Sequence, residues 1–400
     1  MQRKTFKYRL YPTPSQARLL AQVLDVCRHW YNMCIEDRKL AWELERRSVT
    51  QAQQEKTGIR YRATFPKAKA VFSQTMQVVC ADVDKAYQAF FRRVKAGETP
   101  GYPRFKGYHH FDSFGFKHYG SGIQMDGRRL RIFGVGRVHV RWDRPIVGTI
   151  KTVRIRRAAG RWHACFNCEL PDPVPLEPTG QAVGIDVNVE NLLTDSENCR
   201  VESPQHYRQA QRDLAMAQRS MQRKQKGGQN RRQALLRVQR LHEHVKNQRQ
   251  DLLNKVAHYY IQHYDLIGLE DLRIANMVRN RHLSKRILDT GWGYLRNRLV
   301  AKAANAGRQI VLVDPAYTSK TCSCCGQLFQ DLTLSDRWVH CAVCGLSLAR
   351  DHNAAINILK RATAQTEPPA PDNHGKSERA TTGWDTSVGH NVGASRPCVS

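Results

Sequence analysis

Four cysteines and three acids carry the chemistry legible in this chain. Cys322 with Cys325, and Cys341 with Cys344, form two Cys-x-x-Cys-Gly knuckles with fifteen residues between them. That spacing suits one structural Zn²⁺ held by four thiolates. Gly326 and Gly345 stand where the turn after each second ligand needs unusual backbone freedom. Cys324 is a spare thiol inside the first knuckle, so its pairing stays open, although spacing favours Cys322 and Cys325. Asp351 follows Gly345 after five residues and opens a helical pattern, DHNAAINILKRA. Asp186 sits in the middle of an apolar strand pattern, where a carboxylate is costly to bury unless paired or metal-bound. Glu270 ends a second apolar run, DLIGLE. Three such carboxylates, if they converge, can hold two Mg²⁺ (or Mn²⁺) ions for phosphodiester hydrolysis without a nucleophilic side chain. Each acid alone has a plainer reading: a strand-end oddity, part of a Glu-Asp turn, and an N-cap for Asn353 and Ala354. Their order, each at the edge of a core element, favours catalysis.

The chain has 400 residues, enough for two to four domains, and 64 Lys and Arg stand against 35 acids. A net charge of +29 points to nucleic acid as the partner. No apolar run reaches the ~18 residues of a membrane span, and the opening MQRKTFKYRLYP lacks the apolar segment of a signal peptide. The cysteines outside the knuckles form no framework, Cys165 and Cys168 included, so a reducing cell interior is expected.

Residues 3–11 read as a strand, and Thr13-Pro14-Ser15-Gln16 as a helix start with a capping box. Two amphipathic helices follow, one towards Arg47 and one carrying Met76, Val79, Val83, Ala86 and Phe90. From Gly101 to Leu170 the pattern is that of a small β-barrel or sandwich whose strands carry Arg128, Arg129, Arg131, Arg137, Arg141, Arg154, Arg156 and Arg157 among aromatics, a composition suited to phosphates and bases. PDPVPLEPTG (171–180) is a linker. Between Gln205 and Asp251, two helices around Gly227-Gly228 carry twelve Lys or Arg against three acids, a surface for a phosphate backbone. A helix stopping at Gly307 and the strand QIVLVD precede the knuckles. The polar segment 366–400 is expected to be disordered.

Strand hairpin, helices, strand, helix, strand, ribbon and helix is the order of an RNase H-like core with insertions. The pieces GIDVNVENLLTD, IGLEDL, SKTCSCCG to CAVCG, and RDHNAAINI resemble the TnpB family of transposon-encoded RuvC-like nucleases, relatives of type V CRISPR effectors. The resemblance runs from the YRLYP opening to about residue 362. It implies an α+β multidomain protein: a RuvC-like core with an inserted zinc ribbon, and a helical recognition lobe inserted into a β-barrel wedge. The expected boundaries are 1–13 (first wedge strand), 14–98 (lobe), 99–172 (wedge), 173–180 (linker), 181–316 (core, with the basic insertion 205–251), 317–347 (ribbon) and 348–365 (closing segment). It implies an RNA-guided endonuclease in a prokaryotic cell interior; a monomer with one RNA is expected, with an oligomer left open. A transposon-derived guide RNA pairs with double-stranded target DNA beside a short motif. Asp186, Glu270 and Asp351 match the family's catalytic, magnesium-binding acids, and Cys322, Cys325, Cys341 and Cys344 its zinc ligands. Gln77 falls where relatives contact the target-adjacent duplex, and a glutamine there can read an adenine edge. Arg104 and Lys106 are placed on the nucleic-acid backbone, with Arg223, Lys224, Arg231 and Arg232 of the basic insertion. Two departures stand out: Asn188 where the family has glycine, tolerable if the backbone is left-handed, and Ala349 where an acid is frequent. Rival readings are a cleavage-silent RNA-guided regulator, a strand-transferring transposase, and a structural zinc-ribbon RNA-binding protein. The last leaves Asp186 and Glu270 unexplained.

Overall fold

The structure is a computed structural model, and it describes residues 1–366 except His109 and Leu334. Beyond Thr366, the segment expected to be disordered lies outside the described residues. The chain divides into two compact units, Met1–Asp172 and Pro173 onward. That division falls within the proline-rich linker.

In the first unit, strand β1 (Gln2–Tyr11) leads into helix α1 (Pro14–Glu45). The Thr13 hydroxyl accepts from the Gln16 N–H at 3.3 Å, and the Gln16 side chain accepts from the Thr13 N–H at 3.1 Å, the capping box that the sequence spells. Helices α2 (Gln51–Thr64), α3 (Pro66–Lys69) and α4 (Ser73–Lys95) follow, so the segment holds four helices where periodicity showed two. Polar α2 lacks a clear apolar stripe, which is why the pattern missed it. On α4, Met76, Val79 and Val83 are buried as expected, but Tyr87 fills the next core place while Ala86 and Phe90 are half-buried. The remaining strands are β2 (Ser113–Phe116), β3 (Ile123–Asp126), β4 (Arg129–Ile132), β5 (Gly136–Arg141), β6 (Thr149–Ala158) and β7 (Arg161–Leu170). They join β1 in an antiparallel near-barrel of order β2-β6-β7-β1-β5-β4-β3. Strand β1 lies between β7 and β5, so a strand made before the helices is central to a sheet made after them.

The second unit begins with β8 (Ala182–Asp186), β9 (Asn191–Asp195) and β10 (Arg200–Glu202), then the helix pair α5 (His206–Gln222) and α6 (Gln229–His263). Strand β11 (Leu266–Glu270), helices α7 (Ile274–Met277), α8 (Ser284–Thr290) and α9 (Trp292–Ala306), and strand β12 (Gln309–Val313) follow. A short hairpin, β13 (Trp338–His340) and β14 (Ser347–Ala349), precedes the last helix, α10 (Arg350–Thr366). The main sheet has the order β10-β9-β8-β11-β12, with β8, β11 and β12 parallel and β9 and β10 antiparallel.

Side-chain alternation assigns the two faces of this sheet. Val183, Ile185, Ile267 and Leu269 point to one core with Val256, Tyr260, Leu295 and Leu299 of α6 and α9. Gly184, Gly268, Val311 and Val313 lie on the other, against α10. Gly184 and Gly268 are register partners on adjacent strands. A Cβ on Gly184 would stand 2.1 Å from the Ala355 carbonyl oxygen, and one on Gly268 would stand 2.8 Å from Ala362 Cβ. The paired glycines form a notch that admits the α10 backbone. Two residues beyond them, on the same face, stand Asp186 and Glu270.

Candidate functional site

Asp186 is the last residue of β8, not a mid-strand residue, because the chain turns away at Val187. Glu270 is the last residue of β11, the parallel neighbour of β8. Both acids therefore sit at the carboxyl ends of adjacent parallel strands, where open α/β sheets form their crevices. Asp351 lies in the first turn of α10, on the helix that covers this face. Burial holds the Asp186 carboxyl well above its usual range, and the nearby charges of Glu270 and then Asp351 push the same way. Arg350 and the Asn188 side chain oppose that rise. Burial also raises Glu270, against the Thr318 hydroxyl and Arg361.

Asn188 is not left-handed, since it is absent from the positive-φ residues. Its place is justified by its side chain instead. Asn188 Nδ2 donates to Asp351 Oδ2 at 3.0 Å, while its Oδ1 accepts from the Asn191 N–H at 2.7 Å. The position expected to serve the backbone serves the third acid.

Neither Asp186 nor Glu270 has an ion-pair partner among the described residues. A buried acid with like charges beside it suits a divalent ion. The donor set is hard oxygen throughout, which fits Mg²⁺ or Mn²⁺ better than a softer metal. Asp195, a further buried acid on β9, is fully used: Tyr260 donates to it at 2.9 Å, and the Glu197 and Cys199 N–H groups at 3.0 and 2.8 Å. It is a turn-holding residue.

The four-cysteine centre is compact. The sulfurs of Cys322, Cys325, Cys341 and Cys344 all lie within 4.8 Å of one another. Cys322 to Cys344 is 3.6 Å and Cys325 to Cys341 is 3.5 Å. Tetrahedral Zn–S bonds of about 2.3 Å put sulfurs about 3.8 Å apart, so the four fit zinc. The two knuckles repeat one geometry. Gly326 and Gly345 have φ of 79° and 75°, and their N–H groups donate to the Cys322 and Cys341 carbonyls at 3.0 and 2.8 Å. Backbone N–H groups from Cys344 and Val343 lower the Cys341 thiol to about 6, while burial and the neighbouring sulfurs raise those of Cys325 and Cys344. Cys324 is exposed and stands apart from the cluster.

Reasoning from sequence missed the residues that join these two places. Along α10, Asn353, Asn357, Lys360 and Arg361 recur at helical spacing and grip the segment from Asp314 to Ser323. Asn353 accepts from the Ser323 N–H at 2.8 Å and donates to the Thr321 carbonyl at 2.8 Å. Asn357 donates to the Thr318 and Thr321 carbonyls at 2.8 and 2.7 Å. Lys360 donates to the Ser323 carbonyl, and Arg361 to those of Asp314 and Ala316 at 2.7 and 2.8 Å. The buried Thr318 hydroxyl donates to Glu270 Oε1 at 2.5 Å. Two asparagines four apart in an otherwise alanine- and isoleucine-rich helix face were the available signal.

The expected nucleic-acid contacts divide. Arg104, Arg223 and Arg232 are exposed, and Lys224 is half-buried. Arg231 instead ties the α5–α6 turn, donating to the Met221 and Lys224 carbonyls at 3.0 and 3.1 Å. The Lys106 ammonium stands 4.4 Å from the Tyr31 ring centre, held by its own core. Gln77 is half-buried on α4 and lines a cavity of about 220 Å³ with Asp82, Lys85 and Arg154. Arg154, Arg156 and Arg137 are paired with Asp82, Asp112 and Asp126 at 2.9, 2.9 and 2.6 Å.

A different basic feature crosses the near-barrel. Register places Arg156 beside His163, His163 beside Arg9 and Arg9 beside Arg141, one row over four strands. Arg131 likewise faces Arg137. Like charges directly opposite destabilise a sheet, and in these rows Asp112 and Asp126 offset Arg156 and Arg137. Burial, then the charges of Lys7, Arg9, Arg161 and Arg156, lower His163 to about 4. His163 is thus neutral at pH 7. Acidification below about 6.5 should cost this unit stability, because the unfolded chain accepts a proton that the folded chain refuses until about 4.

Fold and site together define a two-unit protein with an acidic crevice at a sheet end and a four-cysteine ribbon tied to it. The IS605 OrfB family, described as a probable transposase, matches residues 165–281. The Cas12f1-like TNB domain matches 292–358. A helix-turn-helix domain of the same OrfB family matches 1–47, which here are strand β1 and the single helix α1. A protein of Streptomyces pristinaespiralis named "Putative RNA-guided DNA endonuclease" is 32% identical over 364 residues, 89% of each chain. InsQ of Escherichia coli K12, with the same description, is 29% identical over 375 residues, covering 89% of this chain and 91% of its own. A solved structure titled as the mini-RNA-guided endonuclease CRISPR-Cas_phi3 covers 92% of this chain and 93% of its own at 11% identity and a TM-score of 0.47, a likeness too distant to bear on function. This chain belongs to the TnpB family, the IS605 OrfB proteins.

Proposed function

We propose that the chain is an RNA-guided endonuclease of a transposable element, cutting double-stranded DNA next to a short motif by metal-dependent phosphodiester hydrolysis. The observation that carries this reading is the meeting of Asp186, Glu270 and Asp351, from three distant segments, at one end of the five-stranded sheet. The names of the full-length relatives support it. When bound, two Mg²⁺ or Mn²⁺ ions supply an activated water and stabilisation of the leaving oxygen.

The chain's own residues prepare that chemistry. Asp186 offers a buried carboxylate, Asn188 fixes the Asp351 carboxylate, and Thr318 fixes that of Glu270. In this reading the helices of 14–98 and the near-barrel act as recognition lobe and wedge. The basic row holds guide RNA, and Gln77 faces the target-adjacent duplex. The working form is a monomer with one RNA inside a prokaryotic cell.

The test is to purify the protein with the RNA it retains, sequence that RNA, and supply matching plasmid with Mg²⁺. Linearised plasmid is expected, and intact plasmid overturns the reading. Joined DNA strands in place of free ends would instead favour the strand-transferring transposase.

Two further outcomes are expected. Arg141→Ala should weaken RNA binding at low salt and lower the salt dependence by about one phosphate contact, read from affinity against salt concentration. Cys341→Ser should reduce bound zinc from one equivalent towards none. It should also lower the melting temperature, since structural zinc supplies about 10 kcal/mol of folding free energy. Unchanged zinc content would remove Cys341 from the ligand set.

A further inference from the structure

The segment Asp314–Ser323 touches both metal-type sites at once. At one end its Thr318 hydroxyl holds Glu270. At the other it carries Cys322, the first thiolate of the ribbon, flanked by Thr321 and Ser323. Asn353 fixes both flanking residues, through the Thr321 carbonyl and the Ser323 N–H. Asn353 is only two residues from Asp351 on the same helix. Its side chain and that of Asn357 are buried, so neither has water to turn to if the segment shifts. The second knuckle is fastened too: β14 runs directly into α10, and the Arg350 N–H donates to the Arg337 carbonyl at 3.0 Å.

We infer that the four-cysteine centre and the acidic crevice are one linked unit, with Thr318, Asn353 and Asn357 as positioning residues, so that zinc in the ribbon raises the divalent-cation affinity of the acids. This rests on the reading that Asp186, Glu270 and Asp351 hold divalent ions. The physical route is short. Zinc fixes Cys322, Cys322 fixes Thr321 and Ser323, and Asn353 and Asn357 carry that order to α10 and Thr318. Two of the three carboxylates, Asp351 and Glu270, then hold their places. A buried network of this kind transmits position because each broken bond leaves a polar group unsatisfied.

The test uses the full chain with its retained RNA and Mn²⁺ as the probe. Binding is read by electron paramagnetic resonance, cleavage as a function of Mn²⁺ concentration, and zinc by elemental analysis. Thr318→Val should weaken Mn²⁺ binding about tenfold, the size of effect of losing a partner to a metal ligand, with zinc unchanged. Thr318→Ser keeps the hydroxyl and should restore binding to within about twofold of wild type. Asn353→Ala should speed zinc loss to a chelator and weaken Mn²⁺ binding in the same protein. Wild-type Mn²⁺ affinity in Thr318→Val, or no rescue by serine, overturns the inference even if Asn353→Ala fails to fold. Asp186→Asn separates the two levels. If it retains both Mn²⁺ binding and cleavage, the nuclease reading itself fails; if it loses them while Thr318→Val behaves as wild type, only the linkage fails.

Discussion

Asp186→Asn is expected to lower DNA cleavage by about 10³-fold or more and, without metal, to make the protein more stable. Loss of one ligand from a metal site that contributes several kcal/mol to the transition state gives a rate loss of that order. The stability gain follows from the same residue. The folded protein keeps the Asp186 carboxyl buried beside two other acids, which raises it above its ordinary value. Below about pH 4 the carboxyl is protonated whether the chain is folded or not, and the site costs nothing. As pH rises through the carboxylate range the unfolded chain ionises first, so folding loses stability until the folded group has ionised too. The amide has no charge to desolvate. At neutral pH the metal-free variant should melt about 2 °C or more above wild type. The difference should shrink on acidification towards pH 4, and added Mg²⁺ should stabilise only the wild type. A variant that melts lower at neutral pH would show that Asp186 is a structural residue.

Gly184→Ala is expected to damage the second unit as severely as any single methyl can. The new Cβ would meet backbone atoms of α10, the Ala355 carbonyl oxygen at 2.1 Å and the Leu359 nitrogen at 2.5 Å, and neither can rotate away. Relief requires moving α10 off the sheet, which unseats Asp351 and pulls on Asn353 and Asn357. A cost of about 3 kcal/mol or more is expected from overpacking of this kind, a drop of roughly 6 to 12 °C in the melting transition of a unit this size. Cleavage should fall with it even at temperatures where the chain stays folded. Gly101→Ala is the matched control, because a Cβ there meets nothing within 4 Å. It should leave both quantities within error. Equal melting temperatures for the two variants would refute the notch as the reason for glycine at 184.

The glycine notch also shows where sequence reading stopped. Isolated glycines in apolar strands mark a close approach of backbone. Gly184 and Gly268 carry that signal, yet which helix approaches them is a long-range fact. Local rules fared well where the physics is local. The Thr13 cap, the Gly307 helix end at φ 67° and the two knuckle glycines form as their neighbours dictate. They failed where a distant partner decides. Lys106 looks like a free cation in sequence, but its ammonium stands over the Tyr31 ring, 75 positions away in the chain. Asn188 looked like a backbone substitute for glycine and is a hydrogen-bond donor to Asp351.

What the sequence determined by itself is the chemical vocabulary: four thiols at zinc spacing, three acids at the edges of core elements, and a surplus of cations. Those follow from residue type and short spacing, which survive any fold. Only the tertiary structure decided which groups share an address. Asp186 and Glu270 are neighbours because β8 and β11 are parallel partners, and Asp351 joins them because two glycines let α10 lie on that pair. The ribbon and the crevice are tied by side chains whose bonds run to backbone 30 to 47 positions away in the chain. Spacing along a chain carries no record of such bonds, since burial and hydrogen-bond geometry exist only once the segments have packed.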